Sequence, residues 1–293
     1  MTIAGHPLRC GRSRTARGFT LVELAVVVLV VGLLIGSLLV PLSTQVDQRN
    51  IADTQRRLED AREALFGFAV ANGRFPCPAS PTSNGQESFC TSSTGSCGTP
   101  IIVPPSTPPT HGRCTDFFDG YLPAQVLGLN NQDSSGYALD AYPLSQLNQG
   151  RIRYVIADLT INPGPSQVLH GLTAPGTTGT GAMRSANMLG VNSTGYLLVC
   201  ATSAGATWTS CPFGAGNTVA QNAAFIVYSL GKNGTSTGGA DEAWNLNATA
   251  LNKTFISRNY SSVATGGGTF DDQLLWVSSY ALISRMVTAG ALP

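Results

Sequence analysis

Charge is scarce in this chain. Asp, Glu, Lys and Arg make up 11% of its 293 residues, well below the quarter usual for a soluble domain. The 17 basic residues nearly balance the 16 acidic ones. Beyond the first 18 residues no basic patch or stripe is visible in the sequence, so nucleic acid is not an expected partner. Only three His occur. His6 lies near the start, and His111 and His170 fall in expected loops without nearby acids. The chain has no His-Glu-x-x-His and no Gly-x4-Gly-Lys-Ser/Thr, so metalloprotease and P-loop chemistries have no basis in sequence. No enzyme is expected. None of the seven Cys falls in the Cys-x2-Cys spacing of zinc ribbons or thioredoxin-like motifs, which discounts metal and redox roles for them.

What is present is uneven. The first 18 residues carry Arg9, Arg12, Arg14 and Arg17 and no acid. An apolar run then extends to Leu42 with one charge in it, Glu23. A carboxylate inside a bilayer costs roughly 2.5–3.5 kcal/mol on insertion scales, so one placed there points to function. Phe19 to Leu42 would span about 36 Å as a helix at ~1.5 Å per residue, enough for a bilayer core of about 30 Å. From Leu24 to Leu42 the run is longer than a signal peptide's apolar region, and no Ala-x-Ala-like site follows it. A plain signal anchor gives no reason for Glu23.

The stretch Gly18-Phe19-Thr20-Leu21-Val22-Glu23-Leu24, behind its Arg-rich segment and before its apolar helix, resembles the type IV prepilin signal. That family comprises type IV pilins and the pseudopilins of type II secretion. The resemblance implies cleavage after Gly18 by a membrane-embedded prepilin peptidase and N-methylation of the new terminal residue, Phe19. It also implies that Glu23 meets the N-terminal amine of a neighbouring subunit during filament assembly. Chemistry supports that role, because a buried carboxylate needs a cationic partner.

After Pro41, expected to kink or loosen the helix, the periodicity changes. Ile51, Thr54, Leu58, Ala61, Leu65 and Phe68 recur at alternating three- and four-residue spacing, one face of an amphipathic helix. Arg56, Glu59, Asp60, Arg62 and Glu63 occupy its other faces. Asn72-Gly73 closes it, and Pro76 follows. One helix is therefore predicted from about Phe19 to Asn72. Gly32 and Gly36 give a small-xxx-Gly spacing that permits close helix approach; simple tolerance of Gly in membrane helices explains them equally well.

The expected domains are a leader at 1–18, a transmembrane and assembly helix at 19–42, its amphipathic half at 43–73, and a periplasmic head at 74–293. Cys10 belongs to the leader, which leaves six Cys for an oxidising compartment and fifteen ways to pair them. Cys77–Cys114 is expected as an outer link, Cys90–Cys97 as a nested short loop and Cys200–Cys211 as a staple, with other pairings open. Residues 77–120 read as a long irregular region with one short apolar run at Ile101–Val103. Strands are expected at 151–157, 196–200 and 224–228, with 160–190 as loop. Asp271 to Ala289 reads as a C-terminal helix; its two leading acids, Asp271 and Asp272, could be paired functional carboxylates, but acids at a helix start more often favour the helix dipole. The predicted fold is α+β: a long N-terminal helix packed on an antiparallel β-sheet head.

A second resemblance lies at Ser229-Leu230-Gly231-Lys232-Asn233-Gly234 and Gly238-Gly239-Ala240-Asp241-Glu242-Ala243-Trp244. The order is similar to the C-terminal loop of the major type II secretion pseudopilin, which implies calcium held by Asn233 and Asp241, with Glu242 as a further candidate carboxylate. Calcium wants six to eight oxygen ligands, several of them carboxylates, and Asn233 stands where Asp is typical. A Gly-rich turn loop without metal is the alternative. The expected function is a structural subunit, minor or specialised, of a type IV pilus or a type II secretion pseudopilus. Its expected partners are the peptidase, other pilin or pseudopilin subunits and an assembly platform in the bacterial inner membrane. The alternatives are a filament subunit that binds ligand through residues 77–120, and an anchored periplasmic enzyme.

Overall fold

The computed structural model describes residues 18–142, 150–164, 167–175, 183, 195–214, 216–234, 238–246, 251–265 and 267–291, without the side chains of 37–44, 161–164, 167 and 263–265. Two compact units result, Met1–Arg49 and Asn50–Pro293. The first helix, α1, covers Leu21–Asn72. Its helical backbone continues through Pro41, whose side chain is among those outside the description. Gly73 ends it with φ 64°, a left-handed stop that suits Gly because it has no Cβ. The Gly73 amide bonds the Ala69 carbonyl at 2.8 Å.

In the second unit the stripe on α1 becomes core. Thr54, Leu58, Ala61, Leu65, Phe66 and Ala69 are buried. They pack with strands of a six-stranded sheet built around one long central strand, β8 (Thr218–Ser229). One edge of β8 is shared by β4 (Arg153–Ile156) and β7 (Leu197–Cys200), which follow one another along it. Its other edge pairs with β12 (Gln273–Ser278). Beyond β4 lies β3 (Gly120–Tyr121), and beyond β7 lies β9 (Thr254–Ile256). Phe225 on β8 is the hub. Its ring lies 5.8 Å from Phe66, 5.1 Å from Phe75 and 6.2 Å from Tyr154.

Several elements depart from the expected ones. The sheet is mostly antiparallel, but β7 and β9 pair in parallel. All four residues of β4 are buried, so the strand lacks the alternation that one covered face would impose. Residues 160–170 hold a hairpin, β5 (Thr160–Gly164) and β6 (Gln167–His170), instead of loop. In the long irregular region, β1 (Glu87–Phe89) pairs with β2 (Ile101–Val103). Residues 273–278 are strand, because Leu274 to Val277 pair with Tyr228 to Phe225 across the sheet. The last helix begins only at Ser279 and runs to Thr288; Ser278 caps it, its Oγ accepting the Ala281 amide at 3.2 Å. Asp271 and Asp272 therefore precede a strand, and the dipole reading of that pair is wrong. Two short helices, Ala124–Leu127 and Ala240–Asn245, and a hairpin of Ser261–Thr265 with Gly268–Phe270 also lie among the described residues.

The structure joins Cys77 to Cys114, Cys90 to Cys97 and Cys200 to Cys211. The outer link spans 37 residues and the nested one seven. Cys77, Phe89 and Cys114 belong to the main core, so the irregular region is part of the head's foundation. Beside it, Arg74 and Glu87 form a buried bidentate pair, 2.6 and 3.0 Å. Glu87 also accepts the Cys77 amide at 3.0 Å.

Candidate functional site

Two places carry functional chemistry. The first is the start of α1. Thr20 and Glu23 satisfy each other there. The Thr20 amide and hydroxyl each donate to Glu23 Oε2 at 3.0 Å, and the Glu23 amide donates to Thr20 Oγ1 at 3.3 Å. This reciprocal pattern is a capping box, which occupies N–H groups that a helix start leaves without partners. Gly18 and Phe19 are exposed in front of it. A Cβ added at Gly18 would meet nothing within 4 Å, so the chain's own packing does not require Gly there. The same holds at Gly32 and Gly36.

Every large apolar side chain from Phe19 to Ile35 is exposed, Phe19 by 83% and Leu21 by 86%. A contiguous apolar surface of this length marks contact with lipid or protein. Residues 13–39 match the family model described as the prokaryotic N-terminal methylation motif. The chain carries a prepilin-type N-terminus. That motif is the hallmark of type IV pilins and pseudopilins, and it implies processing by a prepilin peptidase and assembly with other pilin-like subunits. No curated protein and no solved structure matches the chain. Among the described residues, no helix is long and apolar enough to cross a membrane; the side chains of 37–44, on which the run to Leu42 depends, are not among them.

The second place is the Gly-rich loop after β8. Its sequence neighbours do not form the expected ligand pair. Asp241 turns away, accepting the Ser203 amide and hydroxyl at 2.7 Å each and lying 3.2 Å from Arg258. Asn233 donates its side-chain amide to Glu242 at 2.7 Å. The carboxylates that converge are Glu242, Asp271 and Asp272, with oxygens within 4.8 Å of one another. Gly231 and Gly238 permit this approach. A Cβ at Gly231 would come within 2.4 Å of Asp271 Oδ1, and one at Gly238 within 2.7 Å of Glu242 Oε2.

Burial and the neighbouring Glu242 push the Asp271 carboxyl up to about 6. Burial also raises Asp272 well above the usual carboxylate range, although Asn245 donates to it at 2.8 Å. Backbone amides of Lys232 and Asn233 satisfy Asp271 Oδ2, while Asp271 Oδ1 and Asn233 Oδ1 are buried without a hydrogen-bond partner. Three mutually repelling carboxylates and two unmatched acceptor oxygens fit the hard-oxygen chemistry of calcium. Glu242, Asp271 and Asp272 would hold such a cation. Their partnership spans residues 242 to 272, so the local loop pattern reached Glu242 but not Asp271 and Asp272.

Two further features escaped the sequence reading. His170 does have an acidic partner, Asp158, with Nδ1 to Oδ1 at 2.6 Å, and its ring stacks on Phe117 at 5.1 Å. Residues 234–238 spell Gly-Thr-Ser-Thr-Gly, the letters of a nucleophile elbow. That device needs a tight strand-turn-helix. Here the strand ends at Ser229 and the next helix begins at Ala240, and 235–237 lie outside the described residues.

Proposed function

We propose that this chain is a structural subunit, minor or specialised, of a type IV pilus or a type II secretion pseudopilus. It is inserted in the bacterial inner membrane through residues 19–42, with its head in the periplasm. It is cut after Gly18, methylated on Phe19, and assembled through its N-terminal helix. One observation carries the reading: a prepilin methylation motif at 13–39 whose helix leaves its large apolar side chains exposed from Phe19 to Ile35, with Glu23 among them. Glu23 acts as the assembly carboxylate, exchanging or extending its contact with Thr20 toward the freed amine of a neighbour. The test is co-fractionation. The protein should appear in sheared surface filaments, or in cross-linked pseudopili, only when an active prepilin peptidase is present. Its absence from every filament fraction, with normal expression, would reject the proposal.

A further inference from the structure

The connection from β7 to β8, residues 201–217, contains no ionisable side chain other than the disulfide-bonded Cys211. It is nevertheless firmly built. The Cys200–Cys211 bridge closes it. Asp241 holds its base through the Ser203 amide and hydroxyl. Thr207 and Ser210 pair their backbones, amide to carbonyl, at 2.9 and 3.4 Å, and their hydroxyls lie 2.6 Å apart. The Lys253 amide bonds the Trp208 carbonyl at 3.0 Å. Despite these restraints, Trp208 remains 48% exposed, Phe213 is fully exposed and Leu251, near the Lys253 anchor in sequence, is 66% exposed.

The loop's place in the head follows from β8. Ser229, at the strand's end, donates to Asp140 at 2.5 Å, and the adjoining Ala141 amide bonds Thr54 early in the packed half of α1. Phe225 packs against Phe66, further along the helix. The strand thus runs antiparallel to α1, and its beginning at Thr218 lies toward the helix's C-terminal end. The aromatic loop therefore caps the end of the sheet toward Gly73, away from residue 50.

We propose that this loop is a binding surface for neutral polysaccharide, with Trp208 as its stacking side chain. The bridge and the backbone bonds hold the exposed Trp208 ring in place before any ligand arrives, which lowers the ordering cost of recognition. The loop's lack of charge decides the class of ligand. Nucleic acids and acidic polymers require cationic groups, and residues 201–217 supply none; the Arg258 guanidinium near the loop's base lies on Asp241 at 3.2 Å, and the Lys253 ammonium lies 5.5 Å over the Phe118 ring. The aromatic residues are separated by short hydroxyl and amide side chains, Thr207, Thr209, Ser210 and Asn217. A pyranose ring offers the matching chemistry, an apolar C–H face with hydroxyls around its rim. This inference stands apart from the filament reading.

The test is retention of the full-length protein on insoluble cellulose, chitin and starch, with alginate gel as the acidic control. An ethoxylate detergent keeps the protein soluble without introducing sugar. The expected result is retention on at least one neutral polymer and none on alginate. Trp208→Ala should lower retention roughly tenfold, and Trp208→Phe, which keeps a ring, should retain most of it. Matching melting temperatures for the variants and the parent exclude misfolding as the cause. Absence of retention on all three neutral polymers overturns the proposal, as does retention insensitive to Trp208→Ala. A concentration-dependent dimer in sedimentation that Trp208→Ala abolishes overturns it in favour of a second copy of the chain.

Discussion

Thr20 and Glu23 form a reciprocal cap, amide to carboxylate at 3.0 Å and amide to hydroxyl at 3.3 Å. The carboxylate therefore has local partners before any neighbouring subunit arrives. Such a cap contributes about 1 kcal/mol to a helix start, and the hydroxyl eases the cost of placing Glu23 in an apolar segment. A neighbour's ammonium adds an opposite full charge, which the amide and hydroxyl of Thr20 do not supply.

The first prediction concerns this pair. Glu23→Ala should be processed by the peptidase yet fail to enter filaments. Thr20→Val should still assemble, because it removes the hydroxyl but leaves the carboxylate. Immunoblots of sheared filaments and membranes distinguish the two. Normal assembly of Glu23→Ala would contradict the role given to that carboxylate.

The acidic cluster makes a second prediction. Calcium should raise the melting temperature of the protein, and chelation should reverse the gain, as expected for a ligand that binds only the folded state. Asp272→Asn should abolish the effect. Asp241→Ala should lower stability by loosening residues 202–203 but leave the calcium response intact. The opposite pattern would return the site to Asn233 and Asp241.

Asp140 gives a third. Burial pushes its carboxyl up to about 6, against hydrogen bonds from Ser229 and Tyr142. The folded state therefore binds its proton more tightly than the unfolded chain, whose carboxyl titrates near 3.8. This contribution to stability is full below pH 3.8, falls as pH rises to about 6, and is flat above. Asp271 and Asp272 shift in the same direction, so the mutant difference is the clean observable. Between pH 4 and 7, Asp140→Asn should remove on the order of 2 kcal/mol of the parent's pH-dependent loss, read from denaturant titrations.

The buried ion pair gives a fourth. Glu87→Ala strands Arg74 among Phe68 and Phe89, whose rings lie 5.1 and 5.6 Å from the guanidinium. Breaking such a pair costs about 3–5 kcal/mol. Chemical denaturation should show that loss, whereas Glu63→Ala, at the exposed contact with Arg285, should cost less than about 1 kcal/mol. The same core position of Cys77, Phe89 and Cys114 means that deleting 77–120 would damage the head. A test of ligand binding there should instead alter the exposed nested loop between Cys90 and Cys97.

The helix was legible because its signals are local. The Leu58, Ala61 and Leu65 stripe and the Asn72-Gly73 stop lie within one element, and the cysteine spacing suggested the links that form. The strand at 273–278 was not, since Leu274 to Val277 read equally well as a helix face until β8 lies beside them. The parallel pairing of β7 with β9 depends on segments more than fifty residues apart. The acidic cluster failed for the same reason: Glu242 belongs to a helix start, and Asp271 and Asp272 to a strand's approach. Local pattern identified the Gly-rich loop, but only the fold determines which carboxylates face one another.

The most direct measurement is the intact mass and N-terminal sequence of the full-length protein, expressed with an active prepilin peptidase and with an inactive one. A peptidase-dependent start at Phe19, with the mass of one added methyl group, is the predicted result. A chain that keeps Met1–Gly18 under both conditions, or one that begins beyond Leu42, would contradict the account.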